Sequence, residues 1–139
     1  MRNNKINILL LCTVITISAV SQEEATGFRA GPNMAATEAS LKDGFKLTDK
    51  AKEVIGVKTK SIGSKPYSIP NEALVHYGDK VGVYRLRDGW FKLIEVQKTN
   101  KDSGTSTISS SDLNEKDQIA IEGVALLRVS EMDIFGGEE

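Results

Sequence analysis

The sequence predicts a mostly β domain, a small antiparallel β-barrel or sandwich with one or two short helices, preceded by a signal peptide. Three observations carry that reading. Residues 69–97, IPNEALVHYGDKVGVYRLRDGWFKLIEVQ, hold three short apolar runs parted by Gly78-Asp79 and Asp88-Gly89, dipeptides that signal two-residue hairpins. Val, Tyr, Phe, Trp and Ile fill the runs, as half-buried strands favour. Helical signatures are confined to two short stretches, residues 48–56 and 124–132. The chain has 139 residues, 40% apolar and 27% charged, which suits one globular domain. A formal net charge of −1 argues against a nucleic-acid binder.

From the N-terminus, Arg2 and Lys5 precede a run, Ile6–Val20, that is apolar apart from Asn7, Cys12 and a few hydroxyls. Ala19-Val20-Ser21 places small residues where a signal peptidase needs them, so residues 1–21 read as a secretory signal peptide. The run is about 15 residues, short of the roughly 20 that span a bilayer; a retained anchor is the alternative. Cleavage after Ser21 removes Arg2 and Lys5 and no acidic residue, leaving 16 basic and 19 acidic side chains and a net charge of −3. Cys12 is the single cysteine and lies inside the signal, behind Leu11 where a lipoprotein needs a small residue. The exported chain then has no thiol, disulfide or Cys-based metal site.

Residues 22–44 are rich in Ala, Gly, Thr, Glu and Asn without apolar periodicity and predict a flexible N-terminal segment. Residues 45–133 form the β domain. Thr48 is an N-cap candidate for a two-turn helix over residues 49–55, and Gly56 stands where a C-terminal glycine ends it. Val57–Ile62 alternates as a strand with Lys58 and Lys60 toward water. Pro70 marks a strand entrance or an edge. The meander follows, as Ala73–Tyr77, Lys80–Arg87 and Trp90–Gln97, with a II′ turn at Gly78-Asp79 and a I′ turn at Asp88-Gly89. Residues 98–111 are polar and read either as a solvated loop or as a ragged strand pair; Ser106–Ser109 favours the pair. Ser111–Leu113 is a turn with a buried Leu. Gln118–Glu122 is a strand with Ile119 and Ile121 on one face. Gly123 ends it, and residues 124–132 form a short helix. Residues 134–139 predict a flexible tail.

Three segments, FKLTDKAKEVIGVKTKSI (45–62), IPNEALVHYGDKVGVYRLRDGWFKLIEV (69–96) and DLNEKDQIAIEGVALLRVSE (112–131), cover a little under half of the chain. In this order they resemble the periplasmic adaptor subunits (membrane fusion proteins) of resistance-nodulation-division (RND) efflux pumps, heavy-metal branch. The first is similar to the family's opening strand, short helix and Gly-apolar-x-Thr strand. The second is similar to its apolar-Pro-x-x-Ala-Leu lead-in and Val/Tyr meander, the third to its closing strand and final helix. Asp112 and Lys116 stand where the family usually carries glycines. In full adaptors a lipoyl-like domain, a coiled-coil hairpin and a β-barrel domain separate the first two segments; here Gly63–Ser68 alone does. The resemblance therefore implies a membrane-proximal domain in one piece, whose opening and closing strands meet in one sheet. It implies a non-enzymatic periplasmic accessory or minimal adaptor that binds an inner-membrane pump component, close to the membrane surface. An independent periplasmic small-ligand or metal-binding protein is the alternative, and a remnant without a pump partner a third.

Candidate sites are few. His76 is the sole histidine, and Met34 lies in the N-terminal segment; both are weak metal candidates, since zinc takes about four ligands and a lone thioether holds Cu(I) poorly. Met132 reads as a packing residue. Trp90 is a candidate partner anchor, against the simpler role of core packing. Lys58 and Lys60, with Lys46, Lys50 and Lys52 nearby, are candidates for contact with an acidic partner or anionic lipid, against a solvated face. One histidine without a nucleophile elbow builds no catalytic triad, the glycines form no phosphate loop, and no cofactor is implied.

Overall fold

The computed structural model describes residues 27–101 and 103–136. The signal segment 1–21, its cleavage site and Cys12 lie outside the described residues. Among the described residues ten strands and two α-helices follow one another: β1 (Ala36–Ser40), β2 (Gly44–Leu47), α1 (Asp49–Ile55), β3 (Lys58–Ser61), β4 (Tyr67–Pro70), β5 (Val75–Tyr77), β6 (Lys80–Arg87), β7 (Trp90–Glu95), β8 (Gln97–Lys101), β9 (Thr105–Ser109), β10 (Gln118–Glu122) and α2 (Val124–Phe135). The main sheet runs β1-β2-β7-β6-β10-β3, with β5 also on β6; β4-β9-β8 form a second, smaller sheet. Every pairing is antiparallel. The sheets do not close into a barrel. The arrangement is sandwich-like.

The meander forms as its turns dictate. Gly78 has φ +57° and Asp79 stays at negative φ, the sign pattern of a II′ turn; Asp88 and Gly89 are both positive, at 52° and 83°, as a I′ turn requires. Period-two alternation then buries both faces of β6. Val83 faces the small sheet and Tyr84 faces α2. The first core holds Val83, Ile94 and Ile119 of the main sheet against Tyr67, Ile69 and Ile108 of the small one. The second holds Phe45, Tyr84, Phe91 and Ala120 against Val124, Leu127 and Ile134 of α2. Phe45 sits at its centre, stacked on Phe91 at 6.0 Å and edge-on to Tyr84 at 6.3 Å.

The opening and closing strands meet as the resemblance implies. β3 pairs with β10, Gln118 opposite Ser61 and Ile119 opposite Lys60, with a bulge between Ala120 and Glu122. Ile119 is buried and Ile121 half-buried on the same side, while Ala120 reaches the other core. Thr48 caps α1 through its Oγ1, which accepts from the Ala51 N–H at 3.1 Å. Gly56 closes it at φ 71°, and the Val57 N–H returns to the Lys52 carbonyl.

Three expectations are corrected. Residues 36–44, placed in a flexible segment, form β1 and the turn into β2; Ala36 is 1% exposed. A strand at a sheet edge takes its hydrogen bonds from one neighbour, so β1 needs little apolar periodicity of its own. The final helix runs to Phe135, and Ile134 lies in the core rather than in a tail. Residues 71–73 form a 3-10 turn, so the first meander strand begins at Val75. Pro70 ends β4, an edge strand, consistent with its missing donor. The polar stretch after the meander is the ragged strand pair, β8 on β9 with a bulge between Lys98 and Asn100.

Candidate functional site

α2 presents a stripe at 3.6-residue spacing, Val124, Leu127, Glu131 and Ile134. Three members are core residues and the fourth is a carboxylate. Glu131, its side chain 17% exposed, is held by two donors. The Tyr84 hydroxyl donates to Oε2 at 2.6 Å and Arg128 Nη1 donates to the same oxygen at 2.8 Å. Burial, then the hydrogen bond and charge of Glu131, push the Tyr84 hydroxyl far above the usual phenol range, so it stays a neutral donor. Burial alone would lower Arg128, but its bond to Glu131 holds it above the ordinary guanidinium value. Arg128 also lies over the Tyr77 ring at 5.8 Å. Tyr77, Arg128 and Glu131 floor a groove of about 630 Å³ between α2, the β1–β2 turn and β7, rimmed by Leu41, Met132 and Phe135. Leu41 is 78% exposed. The arrangement suits holding a side chain against apolar walls.

A second polar cluster sits at the far end of β6. Arg87 grips Asp117 in a bidentate pair, Nε to Oδ1 and Nη2 to Oδ2, both at 2.7 Å. Asp117 is 1% exposed, and its Oδ2 also accepts the Asn114 N–H at 2.8 Å. Arg85 and Arg87 donate to the Asp112 carbonyl at 3.0 and 3.2 Å. Together they fasten the loop before β10, where Asp112 and Lys116 replace the glycines of the resembled family. Neither residue is at positive φ, so the loop takes a path held by side chains rather than by glycine conformations.

The candidate residues are not brought together. Lys58 and Lys60 lie on β3, one edge of the main sheet, while Trp90 on β7 is three strands away. Lys58 is paired with Glu122 at 2.9 Å and Lys60 is exposed. Lys46 pairs with Glu38 at 2.9 Å and stacks over Trp90 at 4.8 Å; Lys52 pairs with Asp49 at 3.0 Å; Lys50 is exposed. The lysines therefore do not form one basic patch, because α1 separates β2 from β3 and the sheet order sends them to opposite ends. Trp90 is half-buried, part of neither core. His76 is exposed on β5. Met34 is 51% exposed before β1, and Met132, read as packing, stands at the groove rim, partly exposed. Among the described residues no group of three His, Cys, Asp or Glu side chains could hold a metal ion. Sequence reasoning missed Glu131 and Arg85. Each had a signal: a charge on an otherwise apolar helical stripe, and a basic continuation of the strand face that begins with Val81 and Val83.

No protein-family profile matches the chain, and no curated protein matches it. Among solved structures, the chain is similar to the N-terminal metal-binding site and membrane-proximal domain of SilB from Cupriavidus metallidurans CH34, determined by NMR. The likeness has 16% sequence identity and a TM-score of 0.42, over 81% of this chain and 77% of that one. No helix among the described residues is long and apolar enough to cross a membrane.

Proposed function

We propose that the chain is a non-enzymatic periplasmic accessory or minimal adaptor of an envelope efflux system of the RND type, acting by binding a pump component. The observation that carries the reading is the β3–β10 pairing. In the resembled family the first of the three segments is separated from the second by inserted domains, and its opening and closing strands must meet for the membrane-proximal domain to exist. Here residues 62–66 link β3 to β4, and a short link costs less closure entropy than a long insertion. The groove beside α2, with its exposed rim and charged floor, is the surface offered to the partner. Trp90, Lys58 and Lys60 remain separate candidate contacts on other faces.

The reading has two tests. Mass spectrometry of the periplasmic fraction should find Gln22 at the N-terminus; a full-length membrane-bound species overturns the exported form. Crosslinking in cells, followed by purification of the tagged chain, should retrieve an inner-membrane RND pump subunit, and Glu131→Lys with Leu41→Asp should reduce that yield by about tenfold. A chain recovered without any pump subunit overturns the adaptor role.

A further inference from the structure

The Val83 face of the main sheet carries, toward the Asp88-Gly89 turn, two rows of side chains. In one row every charge has a partner: Glu38 with Lys46, Lys46 over Trp90, Arg87 with Asp117. In the adjacent row Arg85 of β6 stands directly opposite Lys92 of β7. Like charges directly opposite across a sheet repel. Among the described residues neither has a carboxylate partner: Arg85 donates to the Asp112 carbonyl, and the Lys92 ammonium donates to the Lys42 carbonyl. Arg85 Nε is buried with no acceptor. Arg87 acts on Arg85 as a further like charge, and Asp117, Asp112 and Asp43 act on it as opposite charges, but none of the three carboxylates bonds to it.

We infer that Arg85 and Lys92, beside Trp90, form a docking site for a carboxylate of an acidic segment of a partner protein. Neither cation bonds a carboxylate of the described residues, so an acidic partner would supply the counter-ion that both lack. The neighbouring row, already neutralised, adds a half-exposed indole rather than further charge. That combination of two cations without carboxylate partners and an aromatic neighbour fits a peptide carboxylate flanked by apolar or aromatic groups. The inference rests on the partner-binding reading and deepens it by naming the partner's chemistry, at a site that meets the groove beside α2 at Lys92. It is tested without any pump, so its failure leaves the crosslinking result untouched.

Trp90 is the single tryptophan, so its emission reports on this face alone. Titration of the purified protein with hexaglutamate at low ionic strength should give a saturable change in Trp90 emission that weakens as salt rises to about 0.15 M. Lys92→Gln should lower the apparent affinity by roughly tenfold, and Arg85→Lys, which keeps the charge but loses the fork, by a smaller factor. Lys98→Gln on β8, an exposed lysine of the small sheet, should leave it within about twofold. Urea midpoints of the variants separate lost binding from lost folding, and Lys92→Gln alone decides the matter if Arg85→Lys unfolds. The inference is overturned if hexaglutamate gives no saturable change, if Lys98→Gln weakens binding as much as Lys92→Gln, or if inorganic phosphate binds as tightly as the peptide.

Discussion

Gly44 shows how one atom fixes the course of the chain. Its φ is +101°, and a Cβ there would lie 2.0 Å from the Phe91 carbonyl oxygen, inside the backbone of β7. Gly89, at φ 83°, has only the end of the Lys46 side chain within reach, at 3.9 Å. Both positions disfavour an L side chain, but only Gly44 adds a backbone collision. Gly44→Ala should therefore cost well over about 2 kcal/mol and Gly89→Ala about 1 kcal/mol; equal urea midpoints for the two variants would refute the collision argument. Asp117 is the second such residue. Burial raises its carboxyl, but Arg87 and the Asn114 N–H outweigh burial and hold it below its ordinary value of 3.8. A carboxyl lowered by folding contributes its stability above the unfolded value and loses it as pH falls through the lower folded one. The wild-type urea midpoint should thus drop below about pH 3.8, and Asp117→Asn, costing about 2 kcal/mol at neutral pH, should flatten that drop.

At the scale of elements, α2 is longer than its sequence periodicity announces because its last turn is held from outside. Ile134 enters the second core, its carbonyl accepts the Arg29 N–H at 2.9 Å, and Phe135 meets Phe28 edge-on at 4.9 Å. The segment before β1 and the end of α2 are thus one unit, although more than a hundred residues separate them in the chain. Ile134→Ala should cost about 2–5 kcal/mol, as a buried Ile truncation does. An exposed neighbour on the same helix, Val129→Ala, should stay within about 0.5 kcal/mol. Thermal or urea denaturation followed by circular dichroism distinguishes them, and equal costs would place residue 134 outside the core. At β10 the same logic works through alternation: Ile119 serves one core and Ala120 the other, so this short strand tolerates change on neither face.

At the scale of the molecule, two cores share one sheet, and β1-β2 complete the second of them. A chain starting at residue 45, the domain boundary that composition suggests, would leave β2 paired with β7 alone and remove Ala36 from the second core. Such a chain should lose most of the cooperative unfolding transition of the longer protein. Matching midpoints for the two would mean that β1 adds no stability.

The elements that were legible in the sequence depend on local chemistry. The I′ and II′ turns follow from Asp88-Gly89 and Gly78-Asp79, the ends of α1 from Thr48 and Gly56, and the meander from period-two alternation between them. The pairing of β3 with β10 was legible only through the order of the resembling segments. β1, the last turn of α2 and both polar clusters were not legible in that way, because each rests on a contact made across the chain. Ala36 is buried by α2 and β2 and not by its neighbours in sequence. Glu131 is an ordinary helix glutamate until Tyr84 is brought beneath it. Arg85 and Lys92 are two solvated cations until the β6–β7 register sets them face to face. Local propensity decides where strands and helices begin and end; burial, charge pairing and the surfaces left free are set only when distant segments share a sheet.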